Sequence, residues 1–221
     1  MQWTDVMLIT PDTLKITCFN KDLVVLDLLK DEYTVLENTA DSFLTFQIPD
    51  PEVEAFLNGE KNCRYLHTDS HNNPESFLEV RWMKPRVRIK HSSALARISA
   101  LRAMLHCRHG LNRGGLMVLK RQFSQSQTSG YETKITPEVD TRIKKEIAAL
   151  NSVFDLIDHE NPCLVYSCAL KQRLISRKIG ATLVIGVRTR PFYSHAWVEV
   201  DSTVVSDDPD LRKKTSVILE C

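Results

Sequence analysis

The sequence predicts an α+β protein built from two units, and three patterns lead to that prediction. Short runs rich in Val, Leu, Thr and Phe, separated by polar turn residues, come first and are typical of a small antiparallel sheet. Helical periodicities follow. From about residue 161 onward, a helix gives way to short strands. With 221 residues, 43% of them hydrophobic, the chain is long enough for one large or two small domains.

The first unit is predicted to span residues 1–85. Its three strands are expected at 14–19, 22–28 and 33–36, with Asn20-Lys21 and Lys30-Asp31-Glu32 as the turns. Short helices are expected from near Thr39, carrying Phe43 and Phe46, and after Asp50-Pro51, carrying Val53, Phe56 and Leu57. The run 76–83 is expected to close this unit.

The second unit is predicted to span residues 86–221. A helix is expected over 91–106, with a buried stripe of Leu95, Ile98, Leu101 and Leu105, and glycines at 110, 114 and 115 are expected to end it. The polar run 124–130 predicts a mobile loop. A further helix begins with Thr136 as its cap and Pro137 as its first residue, and its buried stripe is expected to be Val139, Ile143, Ile147, Leu150, Phe154 and Ile157.

The C-terminal segment predicts a helix that begins with Asn161 as N-cap and Pro162 as first residue, and that stops before Gly180. Cys163 therefore falls in its first turn. Strands are expected at 181–187, 195–200 and 203–206, the last one followed by Asp207 and Asp208.

Cys163 is the best candidate for a reactive residue. Unpaired backbone N–H groups and the helix dipole lower the pKa of a thiol at a helix N-terminus, and the thiolate is the nucleophilic form. A histidine must then reach the sulfur, and a carboxylate or amide must orient that histidine. His195 and the Asp207-Asp208 pair supply both types of residue on adjacent strands. The alternative is that Cys163 is a buried cysteine that contributes only to packing.

Cys168 is the rival thiol. It lies five residues further along the helix, about 140° round its axis and more than one turn deeper, where the effect of the terminus is mostly lost. The spacing favours Cys163.

Two stretches of the chain carry a family resemblance. They are Asn161-Pro-Cys-Leu-Val-Tyr-Ser-Cys-Ala-Leu-Lys-Gln-Arg-Leu174 and Leu183-Val-Ile-Gly-Val-Arg-Thr-Arg-Pro-Phe-Tyr-Ser-His-Ala-Trp-Val-Glu-Val200. Together they resemble the leader peptidases of lasso-peptide clusters, in particular those of the microcin type. The likeness is strongest over about 160–220, and the runs that begin at Asp22 and Phe77 also resemble that family.

The resemblance implies a papain-like or transglutaminase-like cysteine peptidase with Cys163, His195 and Asp207 as its triad. Its function would be to remove the leader from a lasso-peptide precursor and so to free the N-terminus of the core. A partner cyclase similar to asparagine synthetases would then close the macrolactam ring. The resemblance also implies a dependence on ATP, for which the sequence shows no binding motif.

The third member of the triad remains open at this stage. Relatives often have Gly at the turn where this chain has Asp201-Ser202, so a longer or bulged turn is expected here. An ideal two-residue turn would instead place Asp208 opposite His195. We keep Asp207 on the resemblance, with Asp208 as the alternative.

The first unit resembles the winged-helix-like recognition domain of many peptide-modifying systems. In that family, a leader peptide pairs with the free edge of the third strand, which is here Tyr33, Thr34, Val35 and Leu36. Winged helices also bind DNA. However, residues 22–60 hold many acidic and few basic side chains, and the whole chain has a formal charge of only +1, so nucleic acid is not expected.

Other features of the sequence argue against a membrane protein, an exported protein, a metal site and a nucleotide site. No run is long enough for a membrane helix and no export signal begins the chain, so a bacterial cytoplasmic protein with reduced cysteines is expected. His106, Cys107 and His109 make a weak metal cluster, since a closed zinc site needs about four ligands. The stretch 110–115 lacks the Lys-Ser/Thr of a phosphate loop.

Two alternatives to a peptidase remain open. The same triad could transfer its acyl group to an amine, as transglutaminases do, or the chain could be a non-catalytic module that binds the precursor. Trp197 and Glu199 share the His195 face of their strand and are candidates for lining the cleft, although packing is the commoner role for such a Trp.

Overall fold

We describe the protein from a computed structural model, over residues 13–41, Pro85, Val87, 92–124, 130–157 and 161–221. The predicted helix after Asp50-Pro51, the closing run 76–83 and residues 125–129 of the predicted loop lie outside the described residues. Of the helix expected from Thr39, only the first helical residues, Ala40 and Asp41, are described.

The N-terminal strands form a three-stranded antiparallel sheet in the order β1-β2-β3, as predicted. The strands are β1 (Leu14–Phe19), β2 (Asp22–Asp27) and β3 (Glu32–Leu36). Both connections contain a residue at positive φ, Asn20 at 53° and Asp31 at 59°, residue types that tolerate this conformation. The winged-helix arrangement stays a prediction, because its helices are not among the described residues.

Helix α1 (Ala94–Ser124) is longer than predicted. It continues through Gly110, and the break comes at Gly114 (φ −154°, ψ 19°) and Gly115 (φ 55°, ψ −155°). The expected end at the Gly114-Gly115 pair is thus confirmed as a break in the helix, whereas the expected end at Gly110 was wrong, because an isolated glycine weakens a helix without ending it. The helix resumes at Leu116, whose backbone N–H donates to the Asp31 carboxylate in the β2–β3 turn.

The predicted buried stripe of α1 was also wrong. Leu95, Ile98 and Leu105 are 80%, 56% and 46% exposed. The buried face instead carries Ala100, Met104, Cys107, Leu116, Leu119 and Phe123. The buried face is therefore offset from the predicted stripe. Periodicity alone did not indicate which face is buried, because apolar residues occur on both faces of the helix.

The central helices agree with the sequence. Helix α2 (Pro137–Asn151) begins at Thr136, whose side chain accepts a hydrogen bond from the Val139 N–H, and a short 3-10 helix (Phe154–Leu156) follows. The stripe Val139, Ile143, Ile147, Leu150 and Ile157 is buried, while Phe154 is half-buried. Helix α3 (Pro162–Ser176) lies against both α1 and α2 and is central to the main core.

The C-terminal strands form a second antiparallel sheet in the order β6-β5-β4-β7. The strands are β4 (Thr182–Arg188), β5 (Tyr193–Val200), β6 (Thr203–Val204) and β7 (Ser216–Glu220). Helix α4 (Leu211–Lys214) connects β6 to β7. Helix α3 packs on β4 and β5, so it brings its N-terminal turn close to the strand that carries His195.

The two sheets meet through buried contacts. Val24, Leu26 and Leu28 belong to the same hydrophobic core as α3 and β4. Asp22, which is only 1% exposed, accepts hydrogen bonds from Thr189 and from the Arg190 guanidinium in the β4–β5 turn. The predicted domain boundary at residue 85 stays a prediction, but the N-terminal sheet is packed directly against the unit that carries the candidate site.

Candidate active site

Helix α3 presents Cys163 in its first turn. Pro162 occupies the start of the helix, where its missing N–H costs nothing, and Cys163 is partly exposed. Asn161 lies at the N-cap position as predicted, but its side chain makes no capping hydrogen bond. The positive end of the helix dipole therefore faces the thiol without a capping side chain of Asn161 competing for it.

Strand β5 presents His195 toward the same helix. The Ser167 hydroxyl of α3 donates to the Ala196 carbonyl at 3.0 Å, which holds the helix on the strand one residue beyond His195. The His195 side chain is only 4% exposed, and its Nε2 lies 2.8 Å from Oδ2 of Asp207. The imidazole is thus buried between the thiol-bearing helix and a carboxylate.

The pKa of His195 is set by its burial and by two neighbouring side chains. Burial by itself would lower its pKa, but hydrogen bonding to Asp207 and to Cys163, together with their negative charges, raises the pKa of His195 to about 9. Nδ1 is buried and forms no well-aligned hydrogen bond among the described residues, and Nε2 is taken by Asp207. Nδ1 is therefore the ring atom left to face Cys163.

The turn at Asp201-Ser202 is tighter than the sequence analysis expected. Both residues have positive φ, 52° and 56°, and Val200 pairs with Thr203 across them, so the turn is a tight two-residue one. The expected longer or bulged turn was wrong, because Asp and Ser adopt the left-handed conformation here without glycine.

Asp207 nevertheless faces His195, because β6 is only two residues long. The Val198 N–H donates to the Ser206 hydroxyl and not to a backbone carbonyl, so the chain has left the regular β5–β6 hydrogen-bond ladder before Asp207. Asp208, the alternative, is bonded instead to Lys214 at 2.7 Å, and that contact lowers the pKa of its carboxyl. The register argument therefore failed, since it assumed an uninterrupted strand.

Cys168 is buried within the helix bundle, as the helical spacing predicted. It has no exposed surface, and burial followed by contact with Cys107 raises its pKa well above the ordinary value. A thiol in that environment is a poor nucleophile.

Two tyrosines, Tyr33 and Tyr193, lie near Cys163, and the sequence did not place them there. Tyr33 packs its ring on Phe192 with centroids 5.3 Å apart, and its hydroxyl is hydrogen-bonded to Ser194. Burial, followed by the charges of Cys163 and Asp207, raises the pKa of Tyr193 to about 12. Tyr33 was predicted as part of the leader-binding strand, but its proximity to Cys163 follows only from the packing of the two sheets.

The other residues predicted to bind a leader have their side chains mostly enclosed. Val35 packs against the main core, Leu36 belongs to a small cluster on the opposite face of the sheet, and Thr34 is buried. Among the described residues, β3 pairs only with β2, so its other backbone edge is unpaired there.

Trp197 does not line a cleft, because it is fully buried. It lies beside the His195 ring, and its indole N–H donates to Glu199 at 2.7 Å. Gly186 makes room for it, since a Cβ at that position would lie 2.6 Å from the indole. The alternation of His195, Trp197 and Glu199 along β5 was the sequence signal for this arrangement.

The remaining sequence candidates are not assembled into sites. His106 and His109 are exposed on α1, while Cys107 is buried and donates to Gln172. Within the part of the chain that the structure describes, no three His, Cys, Asp or Glu side chains come together as metal ligands. The glycine-rich stretch 110–115 lies inside α1 and makes no phosphate loop.

Comparison with known proteins identifies the family of the chain. A family model described as the transglutaminase-like superfamily matches residues 101–220, a segment that contains Cys163, His195 and Asp207. The chain is also 34% identical to the microcin J25-processing protein McjB of Escherichia coli over 211 residues, which is 93% of this chain and 97% of that protein. The chain belongs to the lasso-peptide leader peptidases of the transglutaminase-like superfamily. No solved structure matches it.

Membership of the lasso-peptide leader peptidases confirms the resemblance seen in the sequence. The similarity to the processing protein extends over both units, so it includes the N-terminal sheet as well as the segment matched by the superfamily model. No helix of this leader peptidase, within the described residues, is long and apolar enough to cross a membrane.

Proposed function

We propose that this leader peptidase removes the leader from a lasso-peptide precursor by cysteine-peptidase chemistry. Cys163 is the nucleophile, His195 transfers protons, and Asp207 orients His195. The observation that carries the proposal is the buried His195, which contacts Asp207 at 2.8 Å and has its pKa raised by both Asp207 and Cys163. Those contacts favour the imidazolium form of His195. In the proposed chemistry, a thiolate paired with an imidazolium is the reactive state of such a site.

The proposed reaction has two steps. The Cys163 thiolate attacks the carbonyl carbon of the last leader residue, and backbone N–H groups at the start of α3 stabilise the oxyanion. The His195 imidazolium gives its proton to the departing amine of the core peptide, which leaves a thioester on Cys163. Water then attacks the thioester while His195 takes a proton from it, and the leader is released as a free carboxylic acid.

The unpaired edge of β3 supports a role in holding the leader. An extended peptide that pairs with backbone groups of Tyr33, Thr34, Val35 and Leu36 gains main-chain hydrogen bonds without displacing their enclosed side chains. We propose this edge as the leader site. Amide hydrogen exchange tests it: a synthetic leader peptide should slow exchange within 32–36 and leave 14–19 unchanged, and equal protection of both strands would contradict the assignment.

The proposed product determines the proposed partner. Leader removal frees the core N-terminus, which a cyclase similar to asparagine synthetases would join to a side-chain carboxyl in the bacterial cytoplasm. The family resemblance extends the proposal to a dependence on ATP. The described residues do not fit a phosphate loop, so no step above involves the nucleotide. Cleavage measured with and without ATP and the cyclase tests that dependence.

The central experiment follows precursor mass after incubation with the purified protein and with Cys163→Ala. The wild type should yield leader and core that together gain one water, and the variant should yield neither. Cleavage by Cys163→Ala at the wild-type rate would refute the nucleophile assignment. A product that carries an added amine would indicate acyl transfer, and binding without turnover would indicate a precursor-binding module.

A further inference from the structure

Behind His195, the side chains of Trp197, Glu199 and Arg212 form a continuous network of contacts. Along β5, His195, Trp197 and Glu199 alternate onto one face of the strand. The His195 and Trp197 ring centroids are 6.3 Å apart and their planes are inclined by 24°. Because Trp197 is fully buried, its ring cannot move aside without opening the core, so it limits the orientations available to the imidazole.

Glu199 links that indole to helix α4. Its Oε1 accepts from the indole N–H at 2.7 Å and from Nε of Arg212 at 2.8 Å, while Oε2 accepts from Nη2 of Arg212 at 2.8 Å. The carboxylate is 3% exposed, while the Arg212 side chain that binds it is 42% exposed, so only the Glu199 end of the pair lies in the core. The two parallel bonds of Arg212 are a bidentate pair, which fixes direction as well as distance.

The same short helix also holds the loop that carries Asp207. Lys214 of α4 donates to Asp208 at 2.7 Å, one residue beyond Asp207. Arg212 reaches further to Glu220 of β7 at 2.7 Å. Helix α4 thus contacts both sides of the His195–Asp207 pair, the indole side through Glu199 and the carboxylate side through Asp208.

We propose that Trp197, Glu199 and Arg212 are positioning residues that hold the His195 ring in line with Asp207 and Cys163. The proposal rests on the proposed function, in which His195 transfers protons. None of the three residues reacts. They act through the orientation of His195, so their loss should affect turnover more than substrate binding.

The experiment compares Glu199→Gln and Arg212→Met with Lys213→Met, a matched control from the same helix whose ammonium bonds only to Asp210 among the described residues. Cleavage of the precursor gives kcat and KM, and NMR titration gives the pKa of His195. We expect kcat to fall by about 10- to 100-fold in the first two variants, with KM within about twofold of wild type, since small misplacements have costs of that order. The pKa of His195 should fall as its bond to Asp207 loosens, and Lys213→Met should match the wild type.

Two further variants separate positioning from simple loss of stability. Arg212→Lys keeps the charge but lacks the planar fork, so it should recover only part of kcat, and it replaces any variant that does not fold. Trp197→Phe keeps a ring but loses the N–H donor, and it should lower kcat less than Glu199→Gln. Lower thermal stability with kcat and the His195 pKa both unchanged would overturn the proposal.

A protein without any precursor cleavage would refute the proposed function and not this inference. The His195 pKa and the rate of Cys163 alkylation by iodoacetamide do not require a substrate. If both stay at wild-type values in Glu199→Gln and Arg212→Met, the positioning role is refuted whatever the substrate is.

Discussion

Replacing Asp207 by Asn removes the carboxylate charge beside His195 while keeping the size of the side chain. The wild-type imidazole has a pKa of about 9, against an ordinary value of 6.5. At roughly 1.36 kcal/mol per pH unit, its surroundings favour the imidazolium by about 3 kcal/mol. No large discount for solvent applies, because His195 is 4% exposed.

The size of the effect follows from the protonated fraction. At pH 8, a pKa of 9 leaves about 90% of the imidazole protonated, whereas a pKa of 6.5 leaves about 3%. If Asp207→Asn returned the pKa to 6.5, kcat/KM for precursor cleavage would fall about 30-fold at pH 8. The loss would approach 10⁴-fold if ring orientation were lost as well, as in comparable triads.

The assay is precursor cleavage over a series of pH values, together with NMR titration of His195. In the wild type, the basic limb of the profile should lie near pH 9, where the imidazolium loses its proton, and in Asp207→Asn it should move to lower pH. Asp210→Asn is the matched control, because Asp210 is an exposed carboxylate that bonds to Lys213, and it should stay within about threefold of wild type. An unchanged His195 pKa in Asp207→Asn, or equal inactivation by Asp210→Asn, would refute the reasoning.

The free energy of unfolding should depend on pH through the same pKa of His195. Because the folded-state pKa of His195 lies above its ordinary value, its stabilisation is complete below pH 6.5 and is lost as the pH rises through about 9. The free energy of unfolding should fall by up to about 3 kcal/mol over that window, and by less in Asp207→Asn. Urea unfolding at each pH measures it.

Three further substitutions test the surroundings of the site. Asp22→Asn removes a buried carboxylate from its arginine partner and should lower the free energy of unfolding by about 2–3 kcal/mol in urea. Burial alone would raise the pKa of Asp22, but hydrogen bonds from Arg190 and Thr189 outweigh it and hold this pKa below 3.8. The difference in free energy of unfolding between wild type and Asp22→Asn should therefore shrink in acid. An equal difference at pH 3 and at neutral pH would contradict this expectation. Gly186→Ala places a methyl group 2.6 Å from the Trp197 indole and should lower stability by about 2 kcal/mol; an unchanged thermal midpoint would refute the close approach. Cys168→Ala should cost about 1 kcal/mol and retain cleavage, with mass spectrometry still finding iodoacetamide on Cys163, whereas a folded but inactive variant would redirect the nucleophile assignment.

Several parts of the fold could be predicted because they depend on neighbouring residues in the chain. The three N-terminal strands, the Thr136 cap with Pro137, and the placement of Cys163 in the first turn of α3 all arise from local turn, cap and propensity signals. The candidate triad was also accessible, since family motifs carry the order of its residues. These features require no knowledge of what packs against them.

Other features needed the tertiary structure. The buried face of α1 is chosen by its neighbours, and the periodicity of Leu95 and Ile98 could not show that these side chains remain exposed. Asp207 reaches His195 only because β6 ends after two residues and the chain leaves the ladder. The length of a strand pairing depends on contacts beyond the strand itself, here those of α4.

By itself, the sequence determined the family resemblance and the order of the candidate residues: a thiol at a helix start, a histidine on a strand and an aspartate after the next strand. The tertiary structure decided which aspartate contacts the histidine, what lies behind that histidine, and how close the N-terminal sheet comes to the thiol. The physical reason is that residue types and local geometry are properties of short segments. In contrast, the Tyr33–Phe192 contact and the Glu199–Arg212 pair join residues whose meeting depends on how helices and sheets pack.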